Sequence, residues 1–326
     1  MTKKTRYFLA GSTAVLAAGL CTGLIGFYAG GFQPLSAAPV ANELRYIPAD
    51  ATVVAYADVQ AIMKSELRQQ LKAAMPMQQH GQEEFQKQTG IDIENDIDYI
   101  VAAVSGGSPE TGGLVVARGR FNDTQLEALA VQHGGVVENY QGKRIINSPV
   151  SGEHGQFTLA FLEPGLVAMG AKSVVQQSIA SQSTSQSITK NSEMMDLVGD
   201  IALNNQAWAV GRFDMIASTA KLPAEVAQRM PPIKWFAATG HINGGISGTL
   251  RADALDEQSA ELLRRQVNGL LALGEMLGGS DPKAAAFVKS LQMSGTGNTV
   301  ALSFTVPAEL LQLIPMAVDK ADQVIK

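Results

Sequence analysis

Hydrophobic and polar positions divide the chain into a leading apolar block and a long region where short β-branched runs alternate with helical repeats. Residues 7–32 carry no charge and follow Lys3, Lys4 and Arg6. A helix crosses the hydrocarbon layer with about 20 apolar residues, so the block predicts a transmembrane helix over 7–32. Cations before the span, and none for a dozen residues after it, place the basic tail 1–6 in the cytoplasm. The bulk of the chain then lies beyond the cell inner membrane. Two readings compete with a retained anchor. A signal peptide could be cleaved at Ser36-Ala37-Ala38, but Pro39 impedes that. Lipid processing at Cys21 needs a small residue before it, and Leu20 stands there.

Residues 33–48 read as a Pro/Ala linker. Ala51–Val59 is β-branched and predicts a strand, and Ala61–Met75 carries Ile62, Met63, Leu67 and Leu71 at helical spacing. A second helix is expected around Glu83–Thr89, then strands Tyr99–Val104 and Gly113–Phe121. Asn122-Asp123-Thr124 opens a helix running to about His133 and stopped by Gly134-Gly135. Two hairpins follow, Val136–Asn147 turning near Gln141-Gly142 and Gln156–Gly170 turning at Pro164-Gly165. Lys172–Ala180 is helical. Residues 181–192, SQSTSQSITKNS, are polar and read as a surface linker.

Beyond that linker the plan returns. Strand Ala207–Phe213, helix Ile216–Ala227, strands Trp235–Ile242 and Ile246–Arg251, and helices Asp256–Leu277 and Pro282–Leu291 are expected. Strands Gln292–Ser294 and Thr299–Thr305 and a last helix Ala308–Ile325 close the chain. The order β-α-β-β-α-β-β, met twice, predicts an α+β fold of two similar units, 49–180 and 193–326. Antiparallel sheets with helices on one face are expected.

Composition narrows the chemistry. Residues 43–326 hold 22 basic and 30 acidic side chains, a net charge of −8, which excludes a phosphate-binding nucleic-acid surface. The single cysteine, Cys21, excludes disulfides within the chain and cysteine-built metal sites. Within the apolar block, Gly19, Gly23, Gly26 and Gly30 fall on one helix face. Missing side chains there allow a second helix to pack closely, so a homo-oligomer or a membrane-protein partner is expected through this face.

The anchor, the segment Tyr46-Ile47-Pro48-Ala49-Asp50 followed by VVAYADV, TGIDIENDIDYI (Thr89–Ile100) and AWAVGRFD (Ala207–Asp214) resemble a set of bacterial, N-terminally anchored extracytoplasmic proteins. The resemblance covers most of residues 44–307 and implies a duplicated α+β domain outside the cytoplasm. It brings no activity and no catalytic residues.

The remaining motifs favour bland roles. Asp92, Glu94, Asp96 and Asp98 alternate as in a calcium loop, but the sixth and twelfth positions hold Ile97 and Ala103 instead of glycine and an acid. The tetrads Ser187–Lys190 and Ser218–Lys221 fit S-x-x-K without the partner signatures K-T-G and S-D-N. His80, His133, His154 and His241 are scattered singly, and Met75, Met77 and His80 form a weak soft-metal pattern. Trp208 and Trp235 could line a groove, although packing is their ordinary role. No metal, cofactor or catalytic residue is therefore assigned. The expected function is a single-pass, membrane-anchored interaction or accessory module of an envelope assembly. Its alternatives are a ligand-binding protein with a cleft between the two units, or an enzyme whose site is assembled from distant residues.

Overall fold

The computed structural model describes residues 40–74, 86–87, 90–105, 112–152, 155–184, 186–202, 205–217, 231–242, 244–278 and 282–308. The span expected over 7–32, with Gly19, Gly23, Gly26 and Gly30, lies outside the described residues. So do most of the helices expected at Glu83–Thr89 and Ala308–Ile325. Among the described residues no helix is long and apolar enough to cross a membrane.

The chain begins with a helical turn α1 (Val40–Glu43) and a 3-10 turn (Leu44–Tyr46). β1 (Ala51–Ala57) leads to helices α2 (Val59–Lys64), α3 (Glu66–Ala74) and α4 (Ile93–Asp96). Strands β2 (Ile97–Ser105) and β3 (Gly113–Gly119) and helix α5 (Asp123–Gln132) follow. Then come β4 (Val136–Tyr140), β5 (Lys143–Gly152), β6 (Gly155–Glu163), β7 (Leu166–Ala171) and α6 (Lys172–Thr184). A 3-10 turn (Ile188–Lys190) and α7 (Ser192–Ile201) lead to β8 (Ala207–Arg212), α8 (Phe213–Ala217), β9 (Ile233–Ile242) and β10 (Gly245–Ala254). The last elements are α9 (Glu257–Gly278), α10 (Pro282–Ser290), β11 (Gln292–Ser294) and β12 (Thr299–Pro307).

All the described strands belong to one antiparallel sheet, in the order β11-β12-β10-β9-β8-β1-β2-β3-β7-β6-β5-β4. The expectation of separate sheets is thus corrected. β1 pairs directly with β8 over Val53–Ala57 and Ala207–Gly211, so backbone hydrogen bonds run unbroken across the middle of the molecule. Outward from that seam the order is β1-β2-β3-β7-β6 on one side and β8-β9-β10-β12-β11 on the other. The first side carries the additional hairpin β4–β5.

Helices cover both faces, which corrects the one-face expectation. Alternate residues of the central strands feed two cores. Val54, Val101, Ala103, Leu114 and Val116 pack under α6 (Val174, Val175, Ile179) and α7 (Met194, Leu197, Val198, Ile201). Ala57, Ile100, Ala102, Val115 and Ala117 pack on the reverse side with Val59, Ile62, Leu67 and Leu126. A strand buried on both sides needs apolar residues at every position, and β1 to β3 have them.

Local chemistry sets the boundaries. Asp58 caps α2 by accepting the Ala61 N–H, 2.8 Å away, and extended Ser65 divides the expected single helix into α2 and α3. Asn122 caps α5 through the Gln125 N–H at 3.0 Å. Gln141 and Gly142 both take positive φ, +49° and +78°, giving the two-residue hairpin turn whose twist matches β4 and β5. Residues 181–192 differ from the surface linker expected. α6 continues to Thr184, Ser187 bridges to Pro48, and Ile188 is fully buried and donates its N–H to the Ile47 carbonyl.

Candidate functional site

The most elaborate polar constellation among the described residues lies where the chain first meets the sheet. Leu44, Tyr46 and Ile47 are almost wholly enclosed, so residues 43–48 belong to the core and not to the linker expected over 33–48. Glu43, only 2 % exposed, accompanies them. A buried carboxylate costs several kcal/mol unless it is paired, and β3 supplies the partner. Arg118 presents Nε and one terminal nitrogen to Glu43 Oε1 at 3.2 and 2.5 Å. Its other terminal nitrogen donates to the Pro164 carbonyl at 3.2 Å.

A second carboxylate completes the clasp. Glu163, at the end of β6, accepts from Arg45 and, at 2.8 Å, from the Tyr46 hydroxyl. It also lies 3.7 Å from Arg118. Burial, followed by the hydrogen bond to Glu163, pushes the Tyr46 phenol up to about 12. Tyr99 stands opposite Arg118 across β2 and β3, and burial pushes its phenol to about 12 as well. Burial opposes the charge on Arg118, yet hydrogen bonds with Glu43 and Tyr99 prevail and raise its pKa.

An aromatic row continues from the clasp across the seam. Tyr56 on β1 lies 5.8 Å from Tyr99 and stacks on Trp208 of β8, also at 5.8 Å, with the last two rings 22° apart. Tyr56 and Trp208 are directly opposed in register. The Tyr56 phenol is raised by burial and then by the negative charges of Asp58, Tyr99 and Glu43. The clasp and the row fasten three distant pieces of sequence, around residues 45, 118 and 163, and carry the fastening to the second half of the sheet. The charged groups of the clasp are paired with one another within the protein, while Arg45 Nε, Glu43 Oε2 and Trp208 Nε1 are buried without a hydrogen-bond partner.

The motifs singled out in the sequence do not converge on this site. Asp92 caps α4 and binds the Glu94 N–H, Glu94 pairs with Arg68 at 3.0 Å, and Asp96 and Asp98 face Arg120. The alternation that resembled a calcium loop is thus used in a cap and in ion pairs. No group of three or more metal-ligating side chains occurs among the described residues. Ser187 is buried and its hydroxyl bonds the Thr189 hydroxyl at 2.6 Å. Ser218–Lys221, Met75, Met77, His80 and His154 lie outside the described residues. His133 sits at the end of α5, and His241 is on β9 with its pKa lowered by burial. Trp208 and Trp235 are buried packing residues. Sequence reasoning missed Glu43, Arg45, Tyr46, Tyr99, Arg118 and Glu163. The one legible signal was an acid and a base flanking Leu44 in a segment that otherwise reads as linker.

No protein-family model matches the chain, and no curated protein is similar to it. Among solved structures, one described as crystal form I of TP0453 is similar at 10% sequence identity and a TM-score of 0.44. The match covers 84% of this chain and 96% of that one. A likeness at that level assigns neither fold nor function.

Proposed function

We propose that this chain is a single-pass, membrane-anchored accessory module whose body lies outside the cytoplasm and meets partners of a membrane or envelope assembly. The observation that carries the reading is the fastening of residues 43–48 into the core. Only residues 33–39 separate the apolar block from the first described helical turn. Seven residues reach at most ~25 Å when fully extended, so the body stays close to the bilayer and follows the anchor's position. A long flexible tether would leave the body free to wander, and the clasp removes that freedom.

We also infer that the body is a duplicated α+β unit. The matching strand orders outward from the β1–β8 seam, β1-β2-β3-β7-β6 and β8-β9-β10-β12-β11, support this, with β4–β5 as an addition to the first copy. A cleft between the copies would have to open where β1 and β8 are paired. The test is a topology assay on the full chain. A reporter active only outside the cytoplasm, fused after Lys326, should be active, and the protein should stay in the membrane after carbonate washing. A fully expressed but inactive fusion would sink the placement, and release by carbonate would sink the anchor.

A further inference from the structure

We propose that one end of the β1–β8 seam is a binding site for a small organic ammonium ion, held by the Asp58 carboxylate against the rings of Tyr56 and Tyr99. The proposal goes beyond the membrane-anchored reading and stands without it.

Strand alternation puts the parts on one face. Val54 and Val101 belong to the core under α6 and α7, and Tyr56 and Tyr99 lie two residues from them on the same side. Their rings are 5.8 Å apart and inclined at 45°. Asp58 follows on that side, and its N–H donates to the Gln206 carbonyl at 2.7 Å, which fixes it beside β8. Thr239, two residues beyond Ala237 on β9, opposes Trp208 and continues the face with an uncharged hydroxyl. Tyr56, Asp58, Tyr99 and Thr239 are all half-buried, so each is seated in the fold and still reaches solvent.

The charge balance selects a cation. One Asp58 oxygen accepts the Ala61 N–H, and among the described residues the carboxylate has no ion pair. Burial raises its pKa, and the negative charge of Asp98 acts on it more strongly than the positive charge of Lys64. Tyr56 feels the negative charges of Asp58 and Glu43, and no cation is among the groups that shift it. Arg118, opposite Tyr99, is engaged by Glu43 and by the Pro164 carbonyl. His241, two residues past Thr239, has its pKa lowered by burial, so its ring is neutral at pH 7 and adds no positive charge. A half-buried carboxylate in such surroundings is favoured when a cation settles beside it.

The ring faces select an organic one. Guanidinium groups of the chain itself lie over two other rings, Arg45 over Tyr46 at 5.2 Å and Arg212 over Trp235 at 5.3 Å. Among the described residues none lies over Tyr56 or Tyr99. Aromatic faces attract alkylammonium ions, most strongly where water is partly excluded. A hard metal ion needs several oxygen ligands, and no group of three metal-ligating side chains occurs among the described residues.

The experiment titrates choline into the full chain in maltoside detergent by calorimetry, at constant ionic strength, beside the uncharged isostere 3,3-dimethylbutanol. Choline should saturate with a dissociation constant at or below about 1 mM, and the alcohol should give no saturable heat. Asp58→Asn caps α2 equally well and should weaken choline binding about tenfold or more with unchanged folding. Tyr56→Leu should weaken it by a similar factor, whereas Tyr56→Phe keeps the ring and should bind within about twofold of the parent. Absence of saturation by choline overturns the proposal, and so does equal binding of the alcohol. Choline binding unchanged in Asp58→Asn or in Tyr56→Leu overturns it as well. None of these results bears on the anchor, which the topology assay tests by itself.

Discussion

The two sides of the β1–β8 seam use the same strand order but bury it differently. In the first half, β1, β2 and β3 are apolar at nearly every position (VVAYA, IVAAV, LVVA), and helices cover both of their faces. In the second half, polar and apolar residues alternate along most of β10 and β12. Ile246 and Ala254, with Val300, are buried on one face, where Leu250 is 42 % exposed, while Ser247, Thr249, Arg251 and Asp253 oppose Thr305, Ser303, Ala301 and Thr299 on the other. That second face is held by polar cross-links such as Thr249 to Ser303 at 3.1 Å and Thr299 to Asp253 at 2.7 Å. Alternation of this kind marks a sheet with one solvated face, and continuous apolar runs mark two covered faces. One side of the molecule is a three-layer core to which the incoming chain is fastened. The other keeps a polar sheet face.

The comparison breaks first at arginines. Arg118→Ala leaves Glu43 buried and unpaired and should cost about 3–5 kcal/mol in chemical unfolding. Arg251→Ala removes pairs to Asp253 at 3.0 Å and to the well-exposed Asp200 at 3.1 Å, and should cost no more than about 1 kcal/mol. Equal losses would remove the distinction between the halves.

Leu44→Ala should be next in size. It empties a position 1 % exposed, outside any strand, and should cost about 3 kcal/mol. If residues 43–48 were a linker, the change would be silent in the melting temperature.

Alkaline titration sharpens the same point. Tyr46 and Tyr99 hold their protons to about 12 in the folded protein, against about 10 when unfolded. Between those values the folded state binds more protons, so stability should fall as pH rises from 10 to 12. Tyr46→Phe with Tyr99→Phe should flatten that fall, and an unchanged slope would place the phenols outside the core.

The smallest effect is at Asp58, whose pKa is raised by burial and, among further causes, by the negative charge of Asp98. A raised acid favours the folded state below its folded pKa, and that advantage is lost as pH rises through the carboxylate range. Asn caps helices about as well as Asp. Asp58→Asn should therefore leave stability at pH 7 unchanged or raise it by up to about 1 kcal/mol, and the melting temperature should depend less on pH between 4 and 7.

Strands and turns were legible in the sequence because local chemistry determines them, as Gln141-Gly142, Pro164-Gly165 and the Asn122 cap illustrate. The coverage of both faces was encoded too, in the unbroken apolar runs of β1 to β3, but a strand's period says nothing of which helix supplies the cover. α7 was hidden behind its polar neighbour SQSTSQSITKNS, although Asn191 caps it and Met194, Leu197, Val198 and Ile201 form its buried side. The clasp could not be read. Glu43 and Arg118 lie 75 residues apart, and only the folded sheet brings them together.

The central claim is that residues 43–48 are part of the folded body. Amide hydrogen exchange on the full chain tests it most directly. The Ile188 N–H, bonded to the Ile47 carbonyl at 2.8 Å, and the Ile47 N–H, bonded to Leu44 at 3.1 Å, should be protected nearly as strongly as the amides of β1. Exchange of both at the rate of an unstructured peptide, with β1 still protected, would contradict the account.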